Sequence, residues 1–315
     1  MTRAIVATAY GGPEVLSLID VEVPAPPKGK VTIDVKAAAV NQFDYKSYSG
    51  ALGSDPTKLP KRLGMEVSGI VASSGTDAEG PAGAVSVGDE VIAYPVKGGY
   101  AAQVTVSASA VLPKPQGTSW EQAAGLLLTG LAAYHLLEAT GVQTGDTVLI
   151  HGASGGVGLI ASQLAVERGA TVVGTAAPRR HERLVAFGVT PVAYGDGLTD
   201  RVHTAAPCGV QAALDTVGTD EAVDVSLALV ADRQRIATIA AFGRASEVGI
   251  QLLGNGPGAD PGKEIRSRGR MVLAHLAAQR KLSVVVAETF PLERAADAHR
   301  LVADGHAGGK VVLIP

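Results

Sequence analysis

The chain has 315 residues, a formal net charge of −3 and one cysteine. That length exceeds one typical domain and points to two, each long enough for a sizeable core. Interspersed charge of both signs gives no signal for nucleic acid or an anionic membrane surface, and the single Cys208 excludes an internal disulfide framework or a cysteine-rich zinc site.

The opening Met-Thr-Arg-Ala-Ile-Val-Ala-Thr lacks a long apolar run, so a first strand is expected rather than a signal peptide. Residues 1 to about 117 read as β-rich. Val31 to Val35 alternates with period two, and Val67 to Ala72 and Val91 to Tyr94 are further short strands between Gly, Pro, Ser and Asp clusters. Thr118-Ser119-Trp120-Glu121 is a capping-box pattern opening a helix that runs toward Leu137. The apolar window Ala123 to Leu137 is too short and too interrupted to span a bilayer, so a cytoplasmic protein is expected.

The stretch from Asp146 to Thr175 changes register twice. Thr147 to Ile150 is a β-branched apolar run of the kind that forms a buried parallel strand. Small residues follow, Ala153-Ser154-Gly155-Gly156-Val157-Gly158. Val157, Ile160, Ala161, Leu164 and Ala165 then fall on one helical face, Gly169 stops the helix, and Thr171 to Thr175 is the next strand. A strand, glycine turn, helix and strand in this order predict a dinucleotide site, with backbone N–H groups at the helix start facing a pyrophosphate. Gly155 lets the backbone approach that anion and Gly158 lets helix and strand pack closely.

An NAD site usually has a carboxylate at the end of the second strand for the ribose 2′-OH. Here Ala176-Ala177-Pro178-Arg179-Arg180 follows Thr175. Without the carboxylate a 2′-phosphate is not repelled, and two arginines can pair with it. NADPH is therefore expected, the alternative being that Arg179 and Arg180 are solvated charges opening a surface helix.

Beyond this, a helix is expected at about Arg180 to Phe187 and strands near Pro191 to Tyr194, Val210 to Leu214 and Arg235 to Ala240, an alternation that predicts a doubly wound parallel sheet. Gly254 to Gly262 is a glycine- and proline-rich loop, either a flexible linker or a mobile segment near the nicotinamide. Helix 264 to 280, a strand near Val284 to Glu288, helix 292 to 303 and strand Lys310 to Ile314 close the chain.

Several stretches together carry a resemblance. They are Val40-Asn41-Gln42-Phe43-Asp44, Leu63-Gly64-Met65-Glu66-Val67-Ser68-Gly69, Val87-Gly88-Asp89-Glu90-Val91, Gly98-Gly99-Tyr100-Ala101, Leu128-Thr129-Gly130-Leu131-Ala132-Ala133-Tyr134, the glycine turn, and Gly309-Lys310-Val311-Val312. Over nearly its full length the chain resembles the medium-chain dehydrogenase/reductases, in particular their zinc-independent quinone oxidoreductase (zeta-crystallin-like) branch. The resemblance implies an α/β protein: a GroES-like β-rich catalytic domain, 1–119 with 262–315, plus a Rossmann doubly wound parallel-sheet domain, 120–261, with the active cleft between them. Zinc-using relatives carry cysteine near position 41 and histidine at position 65, where Asn41 and Met65 stand, so no metal is expected. His151, beside the turn, is expected to pack or hydrogen-bond.

The resemblance further implies hydride transfer from NADPH to a quinone or activated enone, since no Lewis acid is present to stabilise an alkoxide. Asn41 and Tyr45 are assigned to substrate polarisation, with Lys46 standing where relatives often show tyrosine. Thr129 orients the nicotinamide or its phosphates, and Ala153, Ser154, Gly155, Gly156, Val157 and Gly158 cradle the pyrophosphate. Ala176, Arg179, Arg180 and Tyr194 surround the 2′-phosphate, and Lys310 matches a basic cofactor-contacting position. Ordinary readings stand beside these: Asn41 as a turn residue, Tyr45 a rim aromatic, Thr129 a helix hydroxyl, Tyr194 a strand-end residue. Competing functions are a double-bond reductase of acyl-thioester or polyketide-like substrates and an NADPH-binding protein with little turnover. A homodimer is expected from the family, with Val248 to Leu253 the candidate pairing edge.

Overall fold

A computed structural model describes residues 1–305 and 307–315. The chain folds into two compact units, Met1–Leu128 with Ala274–Pro315, and Thr129–Leu273. Domain divisions at 119/120 and 261/262 were the reading from sequence; the compact units divide nearer 128 and 273.

The first unit is built on a mixed sheet whose strands run in the order 111–113, 90–93, 67–74, 30–40, 310–314 and 286–291, with 103–107 also paired to 30–40. The last strand, Lys310–Ile314, lies antiparallel against Lys30–Val40, matching Val311 with Val40 and Leu313 with Ala38, so the C-terminal segment completes the N-terminal sheet. One face buries Val31, Ile33, Val67, Val71 and Leu313 in the main core. On the other, Ala37, Ala39 and Val312 are small enough for the helix Trp120–Ala124 to settle on the sheet through Ala124.

The expected helix toward Leu137 is two helices, Trp120–Ala124 and Leu127–Ala139. A Cβ on Gly125 would sit 2.9 Å from Lys310 Cγ, and the second helix begins where Leu128 N–H meets the Glu66 carboxylate at 2.8 Å. The capping box is also one residue later than the sequence pattern. Gln122 N–H donates to Ser119 Oγ at 3.2 Å and Ser119 N–H to Gln122 Oε1 at 3.1 Å, while the Thr118 hydroxyl turns back to Pro115 O.

The second unit is a six-stranded parallel sheet. Its elements are β1 (Thr147–His151), α1 (Gly156–Glu167), β2 (Thr171–Thr175), β3 (Val189–Val192), β4 (Ala212–Asp215), β5 (Ile236–Thr238) and β6 (Gln251–Leu252). The order across the sheet is β3-β2-β1-β4-β5-β6, the doubly wound order that reverses between β1 and β4. Strand β3 lies two residues earlier than expected because Val172 pairs with Val189; its Pro191 is tolerated on a sheet edge, and Tyr194 lies beyond the strand. The expected pairing edge at 248–253 is reduced to the two residues of β6. Among the described residues, no helix is long and apolar enough to cross a membrane.

Candidate functional site

In the first unit, three sequence-distant residues converge on one buried carboxylate. Glu66 is 1% exposed, and its Oε1 accepts from Lys310 Nζ at 2.9 Å and from Asn41 Nδ2 at 3.1 Å. Its other oxygen caps the helix Leu127–Ala139 at Leu128 N–H. Lys310, 4% exposed, also donates to Asn41 Oδ1, so both ends of the Asn41 amide work inside the cluster. Strand pairing explains the meeting: Asn41 follows the strand ending at Val40, which is matched with Val311, next to Lys310.

Asn41 is also the N-cap of the short helix Gln42–Tyr48, where its backbone N–H donates to Asp44 Oδ2 at 3.0 Å. Asp44 is 2% exposed. Desolvation, helped by the nearby Glu66 charge, pushes its carboxyl up to about 6 despite the Asn41 N–H that opposes the shift. The Tyr100 hydroxyl is buried near Asp44 but makes no hydrogen bond of ordinary geometry among the described residues. Behind it, Tyr48 O–H and His299 Nδ1 meet at 2.9 Å, and burial lowers the His299 imidazole to about 4.

This predicts a pH signature. The Asp44 pKa is higher folded than its ordinary value of 3.8, so the folded state holds more protons between the two values and stability falls as pH rises through that window. Asp44→Asn keeps an acceptor for Asn41 N–H and removes the charge. The variant is expected to be more stable at pH 7 by about 2–3 kcal/mol, an order-of-magnitude figure from that difference. Its advantage over the wild type should vanish below about pH 4, where both are neutral; urea titrations across this range check it.

In the second unit, the turn between β1 and α1 is held from behind. Gly152 N–H donates to Thr175 Oγ1 at 3.0 Å and Ala153 N–H to Thr175 O at 3.0 Å. Gly152 adopts φ +73°, and a Cβ there would meet Thr216 Oγ1 at 2.7 Å. A Cβ on Gly158 would lie 2.2 Å from Gly152 O, whereas one on Gly155 would meet only Gly152 O at 3.3 Å. Gly158 is thus required by packing, and the face over Gly155 is open. Helix α1 makes its first backbone bond at Leu159 N–H to Gly155 O, and its N-cap glycine has no side chain to offer. The N–H groups of Gly156, Val157 and Gly158, in the first turn of α1, precede that bond and are the donors an anion would take, whereas Gly155 N–H is held by Gly152 O at 2.9 Å. A dinucleotide pyrophosphate fits this cradle.

Ala176, at the end of β2, is buried and donates its N–H to Val192 O at 3.0 Å. This bond draws the Ala176–Arg180 and Val192–Tyr194 segments together. Arg179 and Arg180 form a 3₁₀ turn directly after β2, and Tyr194 is 57% exposed. Thr129 is buried in the first turn of the helix Leu127–Ala139. His151 makes a hydrogen bond to Ser226 Oγ at 3.1 Å, and burial lowers its imidazole to about 4.

Of the expected residues, the structure joins Asn41 to Lys310 and gathers Ala153 to Gly158 into one turn. Tyr45 stays outside the Asn41 cluster, with its ring edge-on to Tyr48 at 5.7 Å. Lys310 is directed to Glu66 and Asn41. Glu66 and Asp44 lie in stretches that carry the resemblance, but no local pattern gives either a role, and Asp215 closes β4. Asp215 accepts from Val217 N–H, Gly218 N–H and the Thr238 hydroxyl, which shapes the loop at the β1/β4 reversal. Among the described residues, no group of three or more His, Cys, Asp or Glu side chains is arranged to hold a metal ion.

Two family descriptions match the chain: "Alcohol dehydrogenase GroES-like domain" over residues 27–142 and "Zinc-binding dehydrogenase" over residues 187–313. A mouse quinone oxidoreductase is 38% identical over 188 residues, 59% of this chain, and the match spans only 55% of that relative. The human quinone oxidoreductase is 28% identical over 100% of this chain and 98% of its own. Among solved structures, an NAD-dependent alcohol dehydrogenase superposes with a TM-score of 0.86 at 30% identity, covering 99% of each chain. A mycobacterial protein complexed with NADPH gives 0.85 at 31% identity over 100% of both chains. The CurK enoyl reductase gives 0.85 at 25% identity over 99% of each. A GroES-like sheet completed by the C-terminal strand and a parallel sheet of doubly wound order define the two units of the architecture. The chain belongs to the medium-chain dehydrogenase/reductase family, in its quinone oxidoreductase branch.

Proposed function

We propose that this chain is an NADPH-dependent reductase that passes a hydride to a quinone or an activated enone without zinc. The observation that carries the reading is the end of β2, where buried Ala176 and the arginine turn at 178–180 replace the carboxylate that would hold a ribose diol. Ala153 to Gly158 bind the pyrophosphate through the open face over Gly155, Thr129 orients the nicotinamide, and Arg179, Arg180 and Tyr194 surround the 2′-phosphate. Bound there, NADPH supplies the hydride, and the protein supplies orientation. Tyr45 offers a hydroxyl to the acceptor carbonyl, while Asn41, with both amide ends engaged, holds the Lys310 ammonium in place. The reading without zinc rests on the donor set: an amide already shared between Glu66 and Lys310, with Met65 at the neighbouring position.

The test is protein-dependent loss of nicotinamide absorbance with NADPH and with NADH, against a panel of quinones and enones, before and after chelation. Fast oxidation of NADPH by a quinone, unchanged by chelator, is expected; turnover with NADH alone would sink the cofactor assignment. The Arg179→Ala/Arg180→Ala double variant should raise KM for NADPH on the order of tenfold, the scale of a lost charge-assisted bond, and leave KM for NADH unchanged. Asn41→Ala should lower turnover, and unchanged turnover would refute its role. The likeness to an enoyl reductase supports a second reading, a double-bond reductase of acyl thioesters. Preference for an enoyl thioester over every quinone would select it.

A further inference from the structure

The chain leaves β3 through Ala193-Tyr194-Gly195-Asp196-Gly197, a loop with little in its own sequence to hold it. Gly195 (φ +95°) and Gly197 (φ +77°) both take the left-handed backbone that favours glycine. Two side chains from later helices hold the loop instead. The Arg201 guanidinium, on the helix Leu198–Ala205, donates through all three nitrogens to loop carbonyls. Nε reaches Ala193 O at 2.9 Å, Nη1 reaches Asp196 O at 2.7 Å and Nη2 reaches Gly195 O at 2.7 Å. Glu221 lies in the first turn of the helix Asp220–Leu229, where the helix dipole favours an acid. Gly195 N–H donates to its carboxylate, at 2.9 Å from Oε1 and 3.2 Å from Oε2.

These bonds fall on either side of one residue. Arg201 holds the peptide group before Tyr194, through Ala193 O, and Glu221 holds the peptide group after it, through Gly195 N–H. Tyr194 itself is left 57% exposed. The Ala176 N–H bond to Val192 O keeps this loop beside the segment that carries Arg179 and Arg180.

We propose, on the cofactor reading above, that Arg201 and Glu221 are positioning residues for NADPH, which clamp the loop so that Tyr194 is preset for the 2′-phosphate. A loop ordered before binding spares the ligand the entropy of ordering it. Arginine suits the task because its planar fork offers several fixed donors, whereas lysine carries the charge on a single nitrogen. At Glu221, field and geometry predict opposite signs. Removing a negative charge near a bound phosphate would tighten binding on Coulomb grounds; removing the clamp weakens it.

The test is calorimetric titration of the full-length protein with adenosine 2′,5′-bisphosphate, which carries the 2′-phosphate, and with adenosine 5′-monophosphate, which lacks it. The wild type should prefer the bisphosphate. Glu221→Ala and Arg201→Lys should each bind the bisphosphate about tenfold more weakly, the scale of one lost hydrogen bond to a charged group. Both should bind the monophosphate as the wild type does, which a misfolded site would not. Glu221→Gln keeps an acceptor for Gly195 N–H and should stay within about twofold of wild type. Adding Glu221→Ala to Tyr194→Ala should weaken binding no further, because the clamp acts through that residue. Unchanged or tighter bisphosphate binding in Glu221→Ala, wild-type binding in Arg201→Lys, or additive losses in the double variant would each overturn the proposal and leave the cofactor reading standing. A wild type that binds the two nucleotides equally would remove the cofactor reading, and the clamp's role with it.

Discussion

Glu66→Ala is expected to destabilise the protein by about 3–5 kcal/mol, the scale for removing one partner of a buried ion pair. The substitution strands the Lys310 ammonium, 4% exposed, with Asn41 as its one remaining side-chain partner among the described residues. It also leaves Leu128 N–H without its acceptor at the start of the helix Leu127–Ala139. Three losses coincide: a counter-charge, a hydrogen bond to Asn41 and a helix cap. Glu66→Gln separates them, because an amide oxygen can still accept from Leu128 but brings no charge. It should lose most of the same stability if the buried charge dominates. Lys310→Met alone leaves a buried carboxylate and should also be costly. Glu66→Gln combined with Lys310→Met removes both charges and should recover to within about 1–2 kcal/mol of wild type, since paired buried charges can be replaced by neutral groups at little net loss. Urea unfolding of the four proteins measures this cycle. Additive losses in the double variant would show that the ion pair is not the organising contact.

Local patterns located the second unit well. The β-branched run at 147–150, the glycine turn and the helical face after it each follow from neighbouring residues, and strand Lys310–Ile314 is found to the residue. What could not be read depends on distant partners. The helix break after Ala124 is set by Glu66, some sixty positions earlier, and by Lys310 against Gly125. Gly125, the C-cap of the first helix, is a local hint of a stop, but the acceptor that starts the second helix lies far away in sequence. Likewise Asp44 is the N3 acid of the helix Gln42–Tyr48, but its raised pKa arises from burial that only the folded unit supplies. Asn41 was legible as a special position and its role was not, because the direction of its amide is decided by Lys310 at the far end of the chain. At β6, in the segment expected to pair with a second copy, Leu253 also bridges Asp260 of the glycine-rich loop, a contact no local pattern announces.

The glycine turn makes the second large prediction because its glycines do different physical work. Gly158→Ala drives a methyl to 2.2 Å from Gly152 O and 2.9 Å from Ala153 Cα, both backbone atoms that cannot rotate away. The helix must move off the turn, at the roughly 1–3 kcal/mol typical of overpacking. That movement carries away the N–H groups at the start of α1, so NADPH affinity should fall with stability. Gly155→Ala has one neighbour, at 3.3 Å, and φ −79°, a conformation any residue adopts. Its unfolding midpoint should stay within about 0.5 kcal/mol of wild type, as for a tolerated surface change. Its methyl nevertheless fills the face on which a pyrophosphate would rest, so NADPH should bind at least about tenfold more weakly, or 1.4 kcal/mol. Thermal melts with and without NADPH read both quantities from one experiment. A Gly155→Ala protein stabilised by NADPH as strongly as wild type would mean that the anion does not sit over this turn, and the cofactor assignment would fall with it. Loss of the NADPH response in Gly155→Ala, with an unchanged melt in its absence, would tie the open face over Gly155 to binding rather than to folding.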